Sequence, residues 1–201
     1  MTKEYEFTLK YKLPSQEYNL DELAEKLYAN GCDDALIGIG IAGKVALEFV
    51  REAESAQAAV YSAHQNVLNV LPEATLVEAM PDYVGLTDIA KIVSVSRQHM
   101  RNLYEINISF PAPVHEGKSS IWHLADVLSW IQQNKSYSFE PTVFEVAQAN
   151  AELNSVSRPK QHSAMLINSY SKATVVVKKY LISTSLSFSD TQSFLSAAEA
   201  A

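Results

Sequence analysis

Between Tyr5 and Leu13 apolar and polar side chains alternate, whereas from Leu20 to Gly31 the apolar residues recur at helical spacing. This switch of period, from two to about 3.6, constrains the fold more than any other feature, because it recurs before Pro81. In "YEFTLKYKL", Tyr5, Phe7, Leu9 and Tyr11 share one face and predict a half-buried strand. Asn19 then suits the cap of a helix carrying Leu20, Leu23, Ala24 and Leu27, with Asp21 and Glu22 in its first turn and Gly31 at its end. "DALIGIGIAG" and "KVALEFVRE" read as two strands turning at Ala42-Gly43. "ESAQAAVYSAHQNVLNVL" is an amphipathic helix stopped by Pro72, and "ATLVEAM" a short strand stopped by Pro81.

The resulting order, strand, helix, strand, strand, helix, strand, is that of a split βαβ sandwich and resembles the ferredoxin-like fold. Residues 1–80 are therefore expected to form a ferredoxin-like domain within an α+β chain. That fold hosts many unrelated activities and by itself assigns none. Of the 201 residues, 47% are apolar and 19% charged, an ordinary soluble composition without a run long enough to cross a membrane. "MTKEYEFTLK" has no apolar core segment, so no secretory leader is expected. Cys32 is the one cysteine, which excludes an internal disulfide and a cysteine-rich zinc site. A cytoplasmic location is the expectation.

The net charge of −7 argues against a nucleic-acid binder until it is divided. Residues 1–80 hold six Lys/Arg against thirteen Asp/Glu, whereas 81–135 and 136–201 hold five of each. The acidic part suits a protein partner, a sister subunit or water, and the neutral middle can still present cations on one side.

That middle begins with "LTDIAKIVSVSRQHMRNLYE", Leu86 to Glu105. A first helix is expected from Thr87, as cap, through Val93, with Ala90 small enough for a second helix to cross closely. Ser94-Val95 makes the turn, Ser96 caps the next helix, and Met100 and Leu103 face the core. The spacing of Ala90, Ser94, Val95 and Met100 resembles a helix-turn-helix. Families with this pattern usually place glycine at the position of Ser94, because the turn favours positive φ. The second helix, 96–104, would present Arg97, Gln98, Arg101 and Asn102 outward, with His99 at the flank and no acid. Arginine can grip guanine O6 and N7, and Gln or Asn can do the same to adenine. Thr87, Ser94, Ser96 and His99 are candidates for phosphate contact.

Beyond it stand "FPAPV" (Phe110–Val114), Trp122 and "ADVLSWI" with Asp126, Val127 and Trp130. In that order, these residues resemble the winged helix-turn-helix of AlpA-type prophage regulators, to which excisionases and the MerR group are structurally similar. The resemblance covers Tyr83 to Gln133, and the corresponding domain is set at 82–135. It implies a wing at His115–Ser120, where Lys118 and Ser119 are candidates for phosphate or minor-groove contact, while Glu116 suggests a tip that partly avoids DNA. His123 would touch phosphate or fill space. The physical roles stand apart from the resemblance: Pro111 and Pro113 hold their segment extended, and Trp122 and Trp130 supply apolar area to a small core. Asp126 suits the start of a helix.

Residues 136–201 read as a mainly helical extension. "NKSYSFEP" looks like a linker, and a helix is expected at 142–154. "VVVKKYL" fits a strand or a buried helix, and "TQSFLSAAEAA" a terminal helix. Arg158, Lys160, His162, Lys172, Lys178 and Lys179 make the tail locally basic. His64 reads as a surface histidine. "GIGIAG" has the spacing of a dinucleotide loop, but strand-type sequence follows it where a helix is needed. No nucleophile–base constellation, metal-ligand spacing or cofactor motif is present, so no enzymatic activity, metal or cofactor is expected.

The sequence thus points to a sequence-specific double-stranded DNA-binding transcription regulator of bacterial or prophage type. One small module buries little DNA surface, so a homodimer is expected on two half-sites. The alternatives are an antitoxin-like or adaptor protein whose acidic domain binds a partner protein, and an excisionase-like DNA-bending factor.

Overall fold

The computed structural model describes residues 1–15, 18–38, 41–135 and 137–157. The expectations for "VVVKKYL", for the basic tail positions Arg158 to Lys179 and for "TQSFLSAAEAA" lie outside the described residues. The chain is α+β, with a four-stranded antiparallel sheet and, among the described residues, six helices.

Strand β1 (Lys3–Lys12) buries Tyr5, Phe7, Leu9 and Tyr11, as its alternation requires. Helix α1 (Leu20–Ala29) starts at Asn19, whose side chain accepts from the amides of Asp21 and Glu22. Shortly after its end Gly31 takes φ +85°, a conformation open to glycine at little cost. Strands β2 (Ala35–Gly38) and β3 (Lys44–Ala53) follow, with Gly43 at φ +74° immediately before β3. Helix α2 (Ala56–Val70) is capped by the Ser55 hydroxyl and buries Ala56, Ala59, Val60, Ala63 and Val67. Its small residues let it lie close on the sheet. Strand β4 (Thr75–Met80) ends at Pro81.

The strand order is β2-β3-β1-β4, and every neighbouring pair is antiparallel. Each helix-linked pair, β1 with β2 and β3 with β4, is therefore parallel, with one strand between its members. One sheet face carries α1 and α2, burying the four β1 aromatic and aliphatic side chains against Leu23, Leu27, Val60 and Val67. Arg51 is also buried there. Its guanidinium donates to both Asp34 carboxylate oxygens at 2.6 and 2.8 Å, to Ser62 and to Asn66. His64 is not a free surface residue: it is half-buried, with Nδ1 2.8 Å from the Tyr11 hydroxyl.

A second core gathers Ile89, Met100, Trp122, Leu124, Leu128 and Ile131. It is built by β5 (Tyr83–Val84), α3 (Leu86–Ile92), α4 (Arg97–Ile106), β6 (Trp122–His123) and α5 (Leu124–Asn134), with β5 and β6 antiparallel. The last described helix, α6, runs over residues 141–157, longer at both ends than the periodicity predicts. Val146, Ala149 and Leu153 of α6 enter the sheet core, and Ala147 enters the second. The segment that reads as a linker is packed too, since Tyr137 and Phe139 lie against the second core.

At the seam between the cores Asp82 is fully buried. Its carboxylate accepts from Asn154 Nδ2 at 2.7 Å and lies 2.6 Å from His123 Nδ1, while its carbonyl accepts from the amide of Leu124. Asn154 also bonds both the amide and the carbonyl of Ala79. Buried polar groups without partners cost about 1–3 kcal/mol each, so this closed set locks α6 onto the junction.

Candidate nucleic-acid interface

Helix α3 starts two residues earlier than its sequence suggests. Gly85, not Thr87, is the N-cap, and its amide donates to Asp88 Oδ2 at 3.2 Å. The helix ends at Val93, and the chain then reverses through Ser94 at φ +55°, the one non-glycine residue with positive φ among the described residues. That is the left-handed conformation the resemblance implies at this position. The amide of Val95 donates to the carbonyl of Ala90 at 2.9 Å, closing the turn. Ser96 then caps α4, its hydroxyl accepting from the His99 amide at 3.1 Å.

On α4, Met100 and Leu103 are buried while Arg97, Gln98, His99, Arg101 and Asn102 are exposed. Positions 97, 98, 101 and 102 lie one and four residues apart and so share a face. Gln98 donates to Asn102 Oδ1 at 2.9 Å, so the two amides form one unit. Arg101 Nε donates to Glu105 Oε1 at 2.7 Å, and this hydrogen bond and charge hold the guanidinium above its ordinary pKa. The acid-free stretch therefore ends in a carboxylate that occupies one of its cations. The i, i+4 spacing of Arg101 and Glu105 is a readable signal for that pair. His99 stands at the flank, its Nε2 2.5 Å from the Tyr137 hydroxyl. The two lie 38 positions apart, and no local pattern announces this contact.

Thr87 and Ser94 are exposed near the two ends of α3, and Ser96 is exposed at the start of α4. Lys118 and Ser119 are exposed in the loop between His115 and Ile121, which form an antiparallel bridge. Among the described residues no hydrogen bond or ion pair joins Lys118 or Ser119 to α4. The loop and the helix meet instead at Tyr104, whose hydroxyl lies 3.5 Å from Glu116. His123 turns inward, bound to Asp82 and 4.9 Å ring to ring from Tyr83. Lys91 on α3 is a further exposed cation beside the turn.

The loop is held from below by aromatic residues. Trp122 and Trp130 are buried, and Phe110 packs edge-on or tilted against both. Trp122 Nε1 donates to the carbonyl of Pro111 at 3.0 Å and Trp130 Nε1 to Ser109 at 3.1 Å. Each indole so anchors the extended segment that leads from α4 to the loop.

No family model, curated protein or solved structure matches this chain. Chemically, the surface offers two guanidinium groups, two coupled carboxamides, capping hydroxyls and a loop lysine, all exposed. Among the described residues no group of three His, Cys, Asp or Glu is placed to hold a metal ion, and no helix is long and apolar enough to cross a membrane.

Proposed function

We propose that this chain is a sequence-specific double-stranded DNA-binding regulator of bacterial or prophage type, built as a winged helix-turn-helix beside a ferredoxin-like sandwich. The single observation that carries the reading is the left-handed turn at Ser94 between α3 and a second helix whose polar face is exposed and whose apolar face is buried. On this reading α4 enters the major groove. Arg97, Gln98, Arg101 and Asn102 meet base edges, and Ser94, Ser96, Thr87, Lys118 and Ser119 meet the backbone. The aromatic support beneath the loop favours a wing over an idle turn. The strand order β2-β3-β1-β4 favours the ferredoxin-like assignment.

Selection of bound duplexes from a random pool tests the proposal. The expected result is a defined motif with two half-sites. Arg97→Ala should relax the preference at one position of each half-site, at about 1–3 kcal/mol. Lys118→Ala should weaken all sequences alike and reduce the salt slope by about 0.9. Recovery of no motif, with neither substitution changing affinity, rejects it. The acidic surplus of residues 1–80 favours one second reading, an adaptor or antitoxin-like protein that binds a basic partner. A partner that binds equally well when Arg97 and Arg101 are both replaced by alanine would support it.

A further inference from the structure

One sheet face carries α1 and α2, and among the described residues no helix covers the other. On β1 this open face presents Glu4, Glu6, Thr8, Lys10 and Lys12, and on β3 Lys44, Ala46, Glu48, Val50 and Glu52. The register sets Glu4 directly opposite Glu52 at one end and Lys12 directly opposite Lys44 at the other. Like charges opposed across two strands repel. Among the described residues none of these four forms an ion pair. Thr8 faces Glu48 midway, and each of the four charged residues lies four positions from that midpoint.

We infer that the open sheet face is a self-complementary interface for a second copy of this chain. A two-fold axis lying between the faces, across the strands at the Thr8–Glu48 pair, lays β1 over the partner copy's β1 with the strand direction reversed. Each acidic end then meets the other copy's basic end. Glu4 faces Lys12, Glu52 faces Lys44, and Glu6 faces Lys10, which within one copy reaches Glu78 at 3.4 Å. Both unfavourable pairs of the isolated chain are relieved in one step.

Apolar surface lies between the charged ends. Leu36 and Val50 are 69% and 51% exposed, although each sits in the sheet. Beside them Glu6, Thr8, Glu48, Val50, Met80 and Pro81 line a hollow of about 310 Å³, open to the same face. Its apolar walls and carboxylates fit the stem and ammonium of a lysine from the opposite copy. Strands of ten residues are about 33 Å long and the sheet is about 15–20 Å wide. Two apposed faces remove on the order of 1,000 Å² from water, the threshold for a specific interface. The axis also brings the two Glu48 side chains together, the one repulsive element.

This surface specifies the contact for the dimer expected on two half-sites, yet it is tested without DNA, so its failure and that of the DNA-binding reading are separable. Sedimentation velocity of the full chain at low salt should show a dimer that weakens as salt rises. Glu4→Lys with Glu52→Lys, or Lys12→Glu with Lys44→Glu, should each weaken the dimer by about tenfold or more. Mixing the two double variants should restore a one-to-one dimer, and Glu48→Gln should tighten it. All these side chains are exposed, so far-ultraviolet circular dichroism should stay that of the parent. A monomer at every concentration, a dimer indifferent to both reversals, or double variants that fail to pair when mixed would each overturn the inference.

Discussion

A left-handed backbone costs a residue bearing a Cβ about 1–2 kcal/mol, and Ser94 carries that cost at the reversal between α3 and α4. Glycine is relieved of it, against the larger entropy glycine loses on folding. Ser94→Gly is therefore expected to raise stability by up to about 1 kcal/mol and Ser94→Val to lower it, both read from thermal denaturation. A lower melting temperature for the glycine variant would mean that the hydroxyl, not the dihedral, governs the turn. On the same surface Glu105 occupies the Arg101 guanidinium. On the DNA-binding reading, Glu105→Gln should tighten binding to any duplex and steepen its salt dependence, as anisotropy titrations would show. At this scale the turn and the N-cap of α4 were legible, because Ala90, Ser94 and Ser96 act on neighbours within a few residues. The contact of His99 with Tyr137 was not, since it depends on how a distant segment packs.

The element with the largest gap between pattern and placement is α6. Its amphipathic spacing announces a helix but not that two cores share it. Nothing local marks Asn154 as the partner of Ala79 and Asp82, 75 and 72 residues away. Asn154→Ala strands one oxygen of a buried carboxylate and two backbone groups, and a loss of about 2–4 kcal/mol is expected in urea denaturation. Near its other end α6 is tied to β1, where Glu145 accepts from Lys3 Nζ at 2.7 Å and from the Tyr5 hydroxyl at 2.8 Å. The Lys3 bond, then the Tyr5 bond, holds the Glu145 carboxyl below its ordinary pKa of 4.5. A depressed carboxylate stabilises the fold above its unfolded value, and that contribution is lost as pH falls through the folded one. Glu145→Gln should thus be less stable than the parent at neutral pH, with the gap closing as pH falls below about 4.5. The six segments before Pro81 were legible for the opposite reason: their alternation and caps are local, and β1 buries the residues that its period of two selects.

For the whole of residues 1–157, two cores joined through one helix and a buried carboxylate predict a single unfolding event. Trp122 and Trp130 both report on the second core, while Tyr5 and Tyr11 belong to the first. Tryptophan fluorescence and far-ultraviolet dichroism should therefore give coincident denaturation curves, and separated midpoints would show that the cores melt independently. The Asp82 seam has a mechanical consequence. With Asn154, His123 and Leu124 all fastened to it, a pivot between the sheet and the second core is pinned at this point. Two copies paired through their sheets would behave as a caliper of set span. On the DNA-binding reading, five base pairs inserted between the half-sites should then abolish paired occupancy, and about ten should recover part of it.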